Sequence, residues 1–155
     1  MAALREVCAD AGLGEVRTYL QTGNLLFESD LAAEEVAGTI EGALTAHGLR
    51  NAPAVVRSLP ELQAIVVGDP FRKFPVATHT RFVTLFRNSL PAGLEDAAHG
   101  LIHIVAVRER EVLAVLPLER PQGLDINGWL AKQTRLEGTT RYFHVVEEVT
   151  RLLAV

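Results

Sequence analysis

The chain has 155 residues, 48% hydrophobic, 22% charged and 6% aromatic, with fifteen basic and nineteen acidic side chains and a net charge of −4. These proportions exclude a disordered chain, and no run approaches the roughly 18 uncharged apolar residues that a membrane-spanning helix needs. A pI near 5.7 argues against the basic footprint of a nucleic-acid binder, and the single Cys8 excludes an internal disulfide framework or a multi-cysteine zinc site.

The opening MAALREVCAD reads as an amphipathic helix start without the apolar core of a signal peptide, so a cytoplasmic location is expected. Leu4, Val7, Cys8 and Ala11 recur at helical spacing, and Gly12 and Gly14 stop the helix. Residues 16–21 and 25–28 read as strands joined at Thr22-Gly23-Asn24, a hairpin turn. Asp30 is expected to cap a helix with Glu34 and Glu35 in its first turn and Val36, Ile40 and Leu44 on its apolar stripe. Residues 54–57 read as a short strand, and Ser58-Leu59-Pro60-Glu61 has the capping-box pattern for a helix to about Val67. Gly68-Asp69-Pro70 breaks that helix. Further on, 80–87 is a strand, Pro91–His99 a short helix, and 101–107 and 112–118 strands joined at a charged Arg108–Glu111 tip. A helix starting near Asp125 or Asn127 runs through Leu136, 139–143 is extended, and Val146, Val149, Leu152 and Leu153 mark a last helix.

The second half is thus β-α-β-β-α-β followed by a helix, and the first half is α-β-β-α-β followed by a helix. This element order predicts an α+β fold, a tandem pair of ferredoxin-like (split β-α-β) lobes, the first lacking its opening strand. The expected divisions are a first lobe at 1–70, a connection at 71–79 and a second lobe at 80–155. The missing strand would lie inside the first sheet. Its place is expected to be filled either by residues upstream of Met1 in a longer reading frame or by a second copy, making a homodimer through strand exchange.

The run Tyr19-Leu20-Gln21-Thr22-Gly23-Asn24-Leu25-Leu26-Phe27 resembles the "tYiqSGNvvF" motif of the bacterial family called domain of unknown function 1697. Val55-Val56-Arg57-Ser58, Asp69-Pro70-Phe71 (the family's "NPF") and Gly138-Thr139-Thr140-Arg141 ("aTTRNW") follow in the same order. Two departures stand out. The family's opening strand and glycine-containing loop have no counterpart, and its Arg-Asn-Trp is here Arg141-Tyr142-Phe143. The resemblance implies a two-lobed fold of ferredoxin-like halves and no particular activity.

No phosphate loop, Rossmann fingerprint or nucleophile elbow is present: in Gly12-Leu13-Gly14-Glu15-Val16-Arg17 the third glycine is replaced by Arg17. Cys8 lies on an apolar stripe and reads as a buried thiol. His99 and His103 are four apart but separated by Gly100, so they do not share a helical face, and His79 and His144 have no partner nearby in sequence. Nothing nominates an acid, base or nucleophile, and no cofactor or metal is expected. Phe82 and Phe86 alternate with Val83 and Leu85 and read as core.

Two groups remain as hypotheses. Gln21, Thr22, Gly23, Asn24 and Arg141 could form a ligand site at the lobe interface. Arg72, Lys73, Arg81 and Arg87, in a stretch free of acids from Pro70 to Leu94, could form an anion-attracting surface. The resulting expectation is a non-enzymatic protein that binds a small anionic molecule or a partner. The alternatives are an enzyme or nucleotide-handling protein acting at the lobe interface, and an RNA-binding module.

Overall fold

The computed structural model describes residues 2–21 and 23–155, and the structure is α+β. Among the described residues it contains five α-helices and two sheets. It divides into two compact units, one running to Leu59 and taking in Arg151–Val155, the other Pro60–Thr150. The break between the units thus falls at Leu59/Pro60, at the start of a helix. No helix among the described residues is long and apolar enough to cross a membrane.

The first unit begins with α1 (Ala2–Asp10), then β1 (Gly14–Tyr19), β2 (Asn24–Glu28) and α2 (Ala33–Ala46). β1 and β2 pair antiparallel, with Tyr19 opposite Asn24. The Asn24 side-chain amide donates to the Tyr19 carbonyl at 3.0 Å, and Leu20 and Gly23 take positive φ to reverse the chain. Thr22 lies outside the described residues. Cys8, Leu13, Val36 and Ile40 form the core, with Val16, Leu25 and Phe27 packed against it.

Two first-unit expectations are corrected. Asp30 does not cap α2; the cap position is Ala32, whose N–H is held by the Glu35 carboxylate at 3.2 Å, because the helix starts two residues later than the Asp30 cap requires. Residues 54–57 form no strand. Ala54 and Val56 still alternate inward onto the core, and the Ala54 N–H finds Glu41 Oε1 at 2.9 Å in place of a ladder partner. The apolar alternation is thus kept without a ladder.

The second unit holds α3 (Leu59–Val66, its first residue grouped with the first unit), β3 (His79–Phe86), β4 (His103–Val107), β5 (Glu111–Pro117), α4 (Ile126–Thr134), β6 (Gly138–Tyr142) and α5 (Phe143–Leu153, its last three residues grouped likewise). Its sheet runs β4-β5-β3-β6 with every neighbour antiparallel. α3 is tied to the β4–β5 hairpin by an Arg110–Glu61 ion pair and by Arg108 Nη1 donating to the Ala64 carbonyl at 3.0 Å. The helix expected over Pro91–His99 shrinks to one 3-10 turn at Leu94–Asp96, because Pro91, Gly93 at φ +86° and an extended Ala97 leave too few residues for more.

Side chains alternate across the sheet. Phe82, Thr84 and Phe86 face a core of Val112, Ala114, Leu116, Ile126 and Leu130, the last two from α4. Thr140 donates to Asn127 Oδ1 at 2.6 Å, and the Thr84 hydroxyl meets Thr140 Oγ1 at 2.7 Å. This chain of polar side chains joins β3, β6 and α4, running from buried Thr84 through Thr140 to exposed Asn127. His79, Arg81, Val83 and Leu85 project to the opposite face.

Gly138 sits opposite Phe86, where an added Cβ would lie 2.7 Å from Thr84 Cγ2 and 2.9 Å from the Phe86 ring. Phe86 is fully buried and cannot retreat. Gly138→Ala is expected to cost about 1–3 kcal/mol in urea denaturation. Gly42→Ala, on the open face of α2 with nothing within 4 Å, is expected to gain about 0.5–1 kcal/mol in the same assay.

Candidate functional site

The segment between α3 and β3 is held by a set of side-chain contacts to charged and aromatic groups. Asp69 turns the chain at φ +43°, and its Oδ1 accepts the Phe71 N–H at 3.1 Å. Phe71 is fully buried against Phe143, with ring centroids 4.8 Å apart. Arg81 then reaches from β3 to hold the turn: Nε donates to the Phe74 carbonyl at 2.8 Å and Nη2 to the Phe71 carbonyl at 3.4 Å. The held turn lays the Phe74 ring over the corner of the sheet, 5.4 Å from His79 and 5.2 Å from His103.

Phe74 lines one cleft and His79 another. The first, of about 350 Å³, is lined by Gly68, Asp69, Arg72, Lys73, Phe74 and His103. Arg72 and Lys73 are exposed, so their charges stand at its mouth. The second, of about 280 Å³, is lined by His79, Arg81, Leu118, Tyr142, His144 and Glu147, among others. Its far side is a stack: the Tyr142 and His144 rings lie 5.5 Å apart and 11° from parallel, and Tyr142 also touches Phe82 at 5.1 Å.

The four cations expected to form one surface separate into different roles. Arg72 and Lys73 share the first cleft. Arg81 spends its guanidinium on the two carbonyls of the turn. Arg87 follows the last residue of β3, about 20 Å along the strand from Arg81 at 3.3 Å per residue.

The other hypothetical set divides as well. Gln21 and Gly23 are exposed in the first unit's hairpin turn, and Asn24 closes that turn through the Tyr19 carbonyl. Arg141 belongs to the second unit, where Nη1 donates to Thr139 Oγ1 at 2.7 Å and to the Thr140 carbonyl at 3.0 Å, and burial lowers its pKa. Cys8 is fully buried and burial raises its thiol pKa, so the nucleophilic thiolate is disfavoured there. His99 Nδ1 accepts the Leu101 and Ile102 N–H groups at 3.0 and 3.2 Å, a turn-closing role. No group of His, Cys, Asp and Glu suited to a metal ion occurs among the described residues. The gathering of His79 and His144 in one cleft, and of His103 with Arg72 and Lys73 in the other, had no signal in local spacing; tertiary packing makes both.

The family model described as Protein of unknown function (DUF1697) matches residues 1–112. No curated protein is detectably similar in sequence. A solved structure, the conserved bacterial protein SP0830 from Streptococcus pneumoniae, superposes with a TM-score of 0.71 at 14% identity, covering 100% of this chain and 89% of that one. At that identity the likeness speaks for the fold alone.

Arg81→Met removes both donors to the turn while keeping much of the apolar stem. It is expected to lower stability by about 1–3 kcal/mol in urea denaturation and to speed amide exchange selectively over residues 69–74.

Proposed function

The chain belongs to the DUF1697 family of proteins of unknown function, and on that premise we propose that it is a non-enzymatic binding protein for a small anionic molecule, held in the Arg72–Lys73–His103 cleft. One observation carries this reading: two exposed cations and a histidine converge on a single concavity of about 350 Å³. Arg72 offers a planar fork suited to phosphate or carboxylate, and Lys73 adds a mobile point charge. Asp69 also lines the cleft, but its Oδ1 is engaged by the Phe71 amide, which tempers its repulsion of an anion.

Other finer readings rest on the same footing. The second unit's strand order and element order support a ferredoxin-like unit, with the first unit as a partial copy of it. The composition supports a cytoplasmic location. An RNA-binding sheet is less well supported, since Phe86 is fully buried, Phe82 packs on the core, and Arg81 points to the opposite face.

A partner-binding role has its own support. Among the described residues β2 pairs only with β1, and 54–57, which belongs to no strand, packs Ala54 and Val56 on the same core. We read this as a place for one more strand, supplied by a second copy of the chain.

Inorganic pyrophosphate is expected to bind with a Kd of about 1 mM at low salt by isothermal calorimetry, a free energy of about −4 kcal/mol. Affinity should fall several-fold between about 20 and 200 mM salt, as screening requires. Lys73→Ala and Arg72→Ala should each lower it about tenfold, while unchanged binding in both would reject the site. For the strand-exchange reading, light scattering after gel filtration should give twice the 16.9 kDa chain mass, and a monomer at every concentration would reject it.

A further inference from the structure

We propose that the Arg72–Lys73–His103 cleft is a site for an aromatic carboxylate, its ring against Phe74 and Val105 and its carboxylate against Arg72 and Lys73. This rests on the anion-binding reading above and names the class of anion. The lining is divided by character. Its ionisable groups Asp69, Arg72, Lys73 and His103 are exposed, whereas Phe74 and Val105 are half-buried. An inorganic anion would engage the charged rim alone and leave the apolar lining wet. A ligand that joins a charge to an apolar body covers both, and removing that apolar surface from water adds to the Coulombic attraction. The volume of about 350 Å³ lies within the range of roughly 300–1,000 Å³ that organic ligands occupy.

The surface offered to a ring is held in place by the sheet. Arg81 and His103 both stand opposite Val115 of β5, so they occupy one row of one face. Arg81 fixes the Phe74 carbonyl, and the Phe74 ring rests 5.2 Å from His103 with the two planes inclined at 43°. Two rings set at such an angle form a corner in which a third meets Phe74 in offset or edge-to-face contact. The charges then select a monoanion. Arg72 and Lys73 against Asp69 leave the lining one positive charge in excess when His103 is neutral. The Arg72 fork matches the two oxygens of a carboxylate, and an organic cation would meet two like charges.

Titrations followed by amide chemical shifts, with naphthoate, acetate, naphthylmethanol and inorganic pyrophosphate, separate the ring from the charge. Naphthoate should bind at least about tenfold tighter than acetate, and tighter than naphthylmethanol. Phe74→Ala, checked for folding by circular dichroism, should weaken naphthoate about fivefold and leave pyrophosphate binding unchanged. Lys73→Ala should weaken both. In the unaltered protein, nuclear Overhauser effects should join the naphthoate ring protons to the Val105 methyl groups, a contact that needs no variant to fold. Their absence at saturation would overturn the ring's placement. Naphthoate no tighter than acetate, with pyrophosphate still dependent on Lys73, would overturn the aromatic carboxylate and leave the anion site standing. Failure of both naphthoate and pyrophosphate to bind would overturn the anion site itself, and this inference with it. Naphthylmethanol as tight as naphthoate, with naphthoate insensitive to Lys73→Ala, would overturn the claim that the carboxylate is recognised.

Discussion

Strand β3 is hydrogen-bonded on both edges and packed on both faces, and the organisation of the second unit follows from that constraint. Antiparallel pairing to β5 and β6 fixes its register over most of its length. Register then decides which side chains share a face. Thr84 and Phe86 go to the core beneath α4, where an unpartnered hydroxyl would be costly, and Thr84 accordingly meets Thr140. Arg81 goes to the other face and cannot serve both as a free cation and as the anchor of the Phe71–Phe74 turn. A one-residue slip would exchange the two faces and dismantle both arrangements.

The anchored turn explains why a chain with net negative charge can still offer a site for an anion. Affinity for an anion in a cleft depends on the charges within a Debye length, about 8–10 Å in physiological salt, more than on the total. Arg81 contributes by holding Phe74 in place, and Arg72 and Lys73 contribute charge. His79, in contact with the same ring, lines a second cleft with Tyr142 and His144.

Much of the fold could be read from sequence because it is encoded locally. The apolar stripe of α1, the alternation in β3 and β5, and the breakers at Gly68-Asp69-Pro70 each act over a few residues. Where the reading failed, the deciding partner was distant or missing from the pattern. Residues 54–57 have a strand's alternation, but a strand also requires a neighbour. Asp30 has a capping side chain, yet Glu35 takes the role from inside the helix. The closeness of Gly138 to Phe86 becomes visible only with the register of β6 on β3. The clefts were the least legible. Arg72 and Lys73 could be singled out as cations in an acid-free stretch, whereas His103, His79, His144 and Tyr142 join them only through tertiary contacts.

The central claim is that the turn held by Arg81 presents an anion site on its β4 side. Backbone amide shifts in ¹⁵N-labelled protein, followed during titration with pyrophosphate, test it most directly. The account predicts that the largest shifts fall on residues 68–74 apart from Pro70, which has no amide proton, and on residues 103–105. Shifts concentrated in the β1–β2 turn around Gln21–Asn24, with 68–74 unmoved, would contradict it.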